Sequence, residues 1–334
     1  MNININFDNY NFSRKVITNY NLSNKHPFKK KAGNASGYYQ LIFDNTLEND
    51  LQVLHKLYKD DIPFKIFGSK TNLYITDNGY NGLFIDMRPY NGKIVFNESS
   101  ESFTVTGNVS VYEFVNFTMK RGYDFGELTG IPGLIGAGVT GNAGYTPSGK
   151  AFSDFVKEVT VFDFEKCETI KFTPDENFFS LRESFIRESN RNKTRFFVKE
   201  VVLKSKFVGE ELVRKKFDAQ MDRRKPGLYY GFKEGSAGSL WIYAHFKNIT
   251  GKSFRHLLAE NPSINGNFNG ATFSPNGNNH FITGTNTTDK DVAKLFVHTI
   301  NRVKELYGVE LKKEIFILDT DGEISLETFI NRNS

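Results

Sequence analysis

From Thr46 onward, Leu47, Leu51, Leu54 and Tyr58 recur on one face at helical spacing, and Pro63 ends the pattern. Phe64-Lys65-Ile66-Phe67 then reads as a short strand stopping at Gly68. Residues 83–86 read as a second strand, after the turn-rich run Asp77-Asn78-Gly79-Tyr80-Asn81-Gly82. Residues 103–106 alternate like a strand, and Ser110-Val111-Tyr112-Glu113 is a capping-box pattern. It predicts a helix through Val111, Phe114, Val115 and Met119 that stops at Gly122. The glycine-dense stretch 128–149 has no consistent period. Strand-like runs at 156–164 and 196–206 flank a polar insertion carrying Arg182, Arg187 and Arg191, and 207–226 reads as a charged helix. Thr288-Asp289-Lys290-Asp291 opens a helix through Val292, Leu295, Phe296, Ile300, Val303 and Leu306, with Gly308 as its stop. A last strand at 314–318 completes an α+β pattern without internal repeats.

Composition narrows the class. The 334 residues are 39% hydrophobic and 24% charged, with nine prolines and 33 phenylalanines, which excludes disordered and collagen-like chains. The single cysteine, Cys167, excludes a disulfide framework, a CxxC redox pair and an all-cysteine metal site. A net charge of +5, from 43 basic and 38 acidic residues, suits an anionic ligand and is small for a dedicated nucleic-acid binder. No run approaches the roughly 20 apolar residues that span a bilayer. The first residues lack a basic stretch followed by an apolar one, so the expected address is the cytoplasm. Residues 1–40 are Asn-rich, and Lys29-Lys30-Lys31 reads as a solvated basic loop in preference to a phosphate contact.

Three segments could carry chemistry. Gly68-Ser69-Lys70-Thr71-Asn72 reads by itself as a plain turn in preference to an anion cradle, although glycine would let backbone N–H groups approach an anion. It has neither GxxxxGK[ST] spacing nor a GxGxxG fingerprint. Six glycines fall within 130–144, which reads equally as backbone lying flat on a planar cofactor or as a tightly packed crossing. The third is Glu234-Gly235-Ser236-Ala237-Gly238-Ser239, followed by Phe246-Lys247-Asn248. No GxSxG elbow, HExxH or His/Cys cluster is present, which disfavours a serine hydrolase and a catalytic metal site.

In this order the segments resemble the UDP-N-acetylenolpyruvoylglucosamine reductases (MurB), flavoproteins of the FAD-linked oxidase fold. The family's Gly-Gly-Ser-Asn loop is similar to Gly68–Asn72. Its Ile-Pro-Gly to Asn-Ala-Gly crossing matches Ile131-Pro132-Gly133 through Asn142-Ala143-Gly144 without a gap. Its Tyr-Arg-x-Ser motif is similar to Leu181-Arg182-Glu183-Ser184, and its Ser-Ala-Gly-Ser and Phe-Lys-Asn match Ser236–Ser239 and Phe246–Asn248. Its closing motif matches Gly308 to Ile315, so the likeness runs from about residue 28 to 318.

The resemblance implies a two-part FAD-binding (PCMH-type) region and a C-terminal α+β substrate domain: 1–91, 92–208 and 209–313, with 314–334 able to return to the first part. It implies FAD held by Gly68, Ser69, Lys70, Thr71 and Asn72 at the diphosphate. Ile131, Gly133, Gly136, Gly138, Asn142, Ala143 and Gly144 would lie along the ribityl chain and ring. NADPH would reduce the flavin and leave, and N5 would then deliver hydride to the enolpyruvyl sugar nucleotide. Arg182 would polarise the substrate carboxylate with help from Glu314, and Ser239 would protonate the adjacent carbon. Arg224, Lys225, Lys247 and Asn248 would meet the UDP diphosphate or serve the surface. The implied protein is a monomer without nucleic-acid or membrane partners.

The departures are Lys70 for glycine, Leu181 for tyrosine, Phe316 at an often basic position, five residues inserted at 240–244, and a loose Asn278-Asn279-His280-Phe281 motif. They leave open a diverged oxidoreductase acting on another nucleotide sugar or acidic metabolite. A flavin-free binder of an anionic or nucleic-acid partner is the remote alternative.

Overall fold

The computed structural model describes residues 5–145, 149–275 and 279–334, without the side chains of 145, 225–234 and 243–246. The chain divides into two compact units. One comprises residues 1–19, 36–69 and 82–225, the other 20–35, 70–81 and 226–334.

The first unit is built on two sheets. A four-stranded sheet has the order Ile17–Asn21, Asn34–Leu41, Tyr80–Met87, Phe64–Phe67, the last two parallel with Phe67 opposite Asp86. Helix Leu47–Lys59 packs Leu47, Leu51 and Leu54 into its core, as the spacing predicts. A five-stranded antiparallel sheet has the order Glu168–Phe172, Val156–Asp163, Phe196–Lys204, Ser102–Thr106, Ile94–Asn97. Helix Val111–Met119 starts at Ser110, whose Oγ accepts the Glu113 N–H at 3.1 Å, and buries Phe114 and Val115 beside that sheet's core. The charged helix is longer than predicted, Glu210–Glu234, beginning in this unit and ending in the other.

The second unit surrounds helix Asp289–Tyr307, closed at its start by a reciprocal capping box between Thr288 and Asp291 and at its end by left-handed Gly308. Val292, Leu295, Phe296 and Val303 meet Phe28, Tyr74, Trp241 and Phe281 in one core. Strand Phe316–Asp319 runs parallel to Leu73–Ile75. Among the described residues, no helix is long and apolar enough to cross a membrane.

Within the lysine run Lys29 and Lys31 are exposed as a solvated loop requires, and Lys30 is the exception. Lys30 is 1% exposed, with its Nζ 2.8 Å from Asp77 and 3.1 Å from Asp289. Tyr74 donates to Asp289 at 2.6 Å, and the Asp77 and Asp289 backbone N–H groups each donate to the other's carboxylate. Burial raises the Asp289 carboxyl above its ordinary pKa, against the pull of Lys30. A buried ammonium needs such partners, and both come from segments far along the chain.

Candidate active site

In the first unit the chain leaves the parallel strand pair at Gly68. A Cβ there would stand 3.3 Å from the Ala137 side chain and 3.4 Å from Leu134, so glycine lets the loop ride close to helix Ile135–Thr140. Two residues on, Lys70 has φ +59, the left-handed region that favours glycine. Glycine would hold this conformation without strain, whereas lysine accepts a cost of about 1–2 kcal/mol there. Residues 69–72 offer two hydroxyls, an ammonium and an amide and no carboxylate, a donor set that fits an anionic diphosphate.

The glycine-rich segment contains a helix that periodicity did not signal. Its first amides are satisfied from outside: Ile135 N–H donates to Val109 O and Gly136 N–H to Gly107 O, both at 2.8 Å. A Cβ on Gly136 would meet Gly107 O at 3.1 Å, and one on Gly138 would enter the Phe152 ring at 2.5 Å. Both glycines therefore have a packing reason of their own. Gly133, at φ +130, adopts backbone that only glycine holds readily, and Ile131 and Gly133 are half-buried with Pro132 exposed. Asn142, itself at φ +40, donates from Nδ2 to Ser180 O at 2.8 Å and accepts the Ser153 N–H at 3.1 Å. The Ala143 N–H donates to Gly138 O at 2.8 Å.

Arg182 occupies the second position of the two-residue turn joining Phe179–Ser180 to Glu183–Ser184. Its φ is +60, and its Nη1 donates to Gly144 O at 2.9 Å. Among the nine described non-glycine residues with positive φ, Lys70 and Arg182 are the basic ones, and both lie in candidate motifs. Strain of this kind concentrates at functional sites.

In the second unit, Ser239 and Glu314 are brought onto neighbouring segments. The Glu314 N–H donates to Leu240 O at 2.7 Å, the Ile242 N–H donates to Lys312 O at 2.8 Å, and Trp241 faces Lys313 in a β-bridge. Asn72 joins them: its Nδ2 donates to Glu314 O at 3.2 Å and its carbonyl accepts the Phe316 N–H at 3.0 Å. Gly235 and Gly238, at φ +79 and +81, bend the chain on either side of Ser236-Ala237. Of the inserted residues after Ser239, Leu240 and Trp241 are fully buried and Ile242 is half-buried, before helix Tyr243–Thr250 begins. Asn279 secures them, accepting the Trp241 N–H on Oδ1 at 3.1 Å, donating to Trp241 O, and taking the Leu240 N–H on its carbonyl at 2.7 Å. Its only sequence signal was the loose Asn278-Asn279-His280-Phe281 motif, whose Asn278 lies outside the described residues.

The predicted diphosphate contacts fall in both units. Arg224 belongs to the first unit, where its Nη1 donates to Thr129 O, at the entrance to the glycine crossing. Lys247 is half-buried and Asn248 exposed on helix Tyr243–Thr250, and the Lys225 side chain lies outside the described residues.

A family model for the FAD binding domain matches residues 42–173. UDP-N-acetylenolpyruvoylglucosamine reductase of Rickettsia prowazekii is 30% identical over 302 residues, covering 89% of this chain and 93% of that protein. The Petrotoga mobilis protein of the same name is 28% identical, covering 82% and 86%. The crystal structure of the Thermus caldophilus enzyme superposes with a TM-score of 0.67 at 21% identity, covering 91% of this chain and 98% of that one, a likeness of fold. With this match extending across both units, the chain belongs to the UDP-N-acetylenolpyruvoylglucosamine reductase family and is an FAD-dependent oxidoreductase on the FAD-linked oxidase fold.

Proposed function

We propose that the protein reduces the enolpyruvyl ether of UDP-N-acetylglucosamine to UDP-N-acetylmuramate, a step in peptidoglycan precursor synthesis, with NADPH as reductant. The observation that carries this reading is the backbone pairing that sets Ser239-Leu240 beside Glu314. A serine and a glutamate thereby stand on adjacent segments. Residues 1–91 and 92–208 are assigned to the flavin and 209–313 to the substrate. When bound, FAD supplies the hydride taken from NADPH.

The substrate double bond gains hydride at its terminal carbon and a proton at the carbon bearing the carboxylate. Negative charge builds on that carboxylate, where the Arg182 guanidinium offers a permanent charge and a planar fork. Ser239 hands its hydroxyl proton to the carbanionic carbon, a transfer open to so weak an acid because the developing base is strong. Glu314 supports the cationic side of the site.

The test is anaerobic. Protein reduced with one equivalent of NADPH is mixed with the enolpyruvyl substrate while flavin absorbance is followed. Rapid reoxidation is expected, and Ser239→Ala should slow it by about 10²–10⁴-fold while leaving reduction by NADPH intact. A flavin that stays reduced in the unaltered protein would exclude this substrate. Equal loss in both halves would remove Ser239 from proton transfer.

A further inference from the structure

We infer that Arg187 is the positioning residue for Arg182, holding the strained turn that carries the catalytic guanidinium. This rests on the role proposed for Arg182. Arg187 lies in helix Phe185–Ser189, directly after the hairpin. Its Nη1 donates to the carbonyl of Arg182 at 3.3 Å, and its Nε stands 3.6 Å from Glu183 Oε1. One side chain thus grips both residues at the exit of the turn.

Its own position is defined on two sides. The Arg187 N–H donates to Ser184 Oγ at 3.2 Å, the N-cap of the helix, and Ser184 Oγ donates to Thr140 O at 2.6 Å. Glu183 is held from its other oxygen by Arg191 at 2.7 Å. On the entry side of the turn, Asn142 secures Ser180.

The chemistry favours this arrangement over a purely structural ion pair. A residue other than glycine at φ +60 relaxes toward ordinary backbone unless its peptide groups are held. The carbonyl of Arg182 is the group such relaxation would swing. Arg187 and Glu183 are also only partly exposed, at 19% and 28%, so water competes weakly for their bonds.

The experiment pairs amide hydrogen exchange of residues 180–184 with the anaerobic assay, on the full-length holoprotein. Arg187→Met should speed exchange in the turn about tenfold or more, and should slow reoxidation by substrate about 10–100-fold. Reduction by NADPH should stay as in the parent, and Arg187→Lys should recover part of both losses. In an Arg182→Gly background, where glycine carries the left-handed backbone without strain, Arg187→Met should change exchange little. Unchanged turn exchange in Arg187→Met, or an equal acceleration in the Arg182→Gly background, would overturn the assignment. If Arg187→Met does not fold, the exchange comparison of Arg187→Lys with the parent decides. A parent protein not reoxidised by substrate would defeat the functional reading, and the exchange data would still judge Arg187.

Discussion

Replacing Gly138 with alanine separates the two readings of the glycine crossing. The new methyl would lie 2.5 and 2.8 Å from two carbons of the Phe152 ring, which is fully buried. Overpacking of this kind costs about 1–3 kcal/mol, and a ring enclosed on all sides places the cost in the upper part of that range. Alanine recovers about 1 kcal/mol in a helix interior, so the net loss is about 1–2 kcal/mol, near tenfold in the folding equilibrium. Gly141→Ala is the control, since its methyl would meet only Ala137 O at 3.5 Å and Arg187 at 3.9 Å. The assay is urea unfolding of flavin-stripped protein by circular dichroism, which keeps ligand linkage out of the comparison. Packing predicts a lowered midpoint for Gly138→Ala and an almost unchanged one for Gly141→Ala. An apoprotein of parental stability that binds FAD weakly would refute the argument and put Gly138 on the cofactor.

The charge cluster around buried Lys30 and its neighbouring histidine give two more. Lys30→Met leaves the buried Asp289 carboxylate beside the exposed Asp77 without a cation and should cost up to about 3 kcal/mol, the low end for a buried pair because Asp77 is solvated, with Asp289→Asn in the same chain restoring part of it. Full stability of the single variant in a urea titration would contradict the role of Lys30. His26 is held at a pKa of about 4, first by burial and then by the charge of Lys30. Its folded value lies below the unfolded 6.5, so its contribution is complete above pH 6.5 and is lost as pH falls from 6.5 to 4. That amounts to about 3 kcal/mol. His26→Asn should flatten this limb of the pH–stability curve, and an unchanged slope would count against it.

How much of this was legible in the chain depends on the range of the forces involved. Helix Leu47–Lys59 was readable from its periodic apolar residues, and Val111–Met119 and Asp289–Tyr307 from those together with an N-cap and a stop glycine, all signals that act within a few residues of each other. The order of the candidate motifs was readable too, and the comparisons agree with the family it pointed to. Helix Ile135–Thr140 was not, because carbonyls at 107 and 109 complete its first turn. Lys30 reads as solvent-exposed in its run of three, since its two carboxylates sit about 50 and 260 residues away.

The same division runs through the candidate site. Sequence alone determined which residue types stand there: the serine, the arginine, the glutamate and the glycines in their order. Tertiary structure decided that Glu314 lies beside Leu240, that Asn279 pairs with Leu240 and Trp241 of the insertion after Ser239, and that Asn142 and Arg187 hold the Arg182 turn. These contacts join segments whose separation in the chain carries no local signal, and only a folded core that satisfies their buried polar groups brings them together.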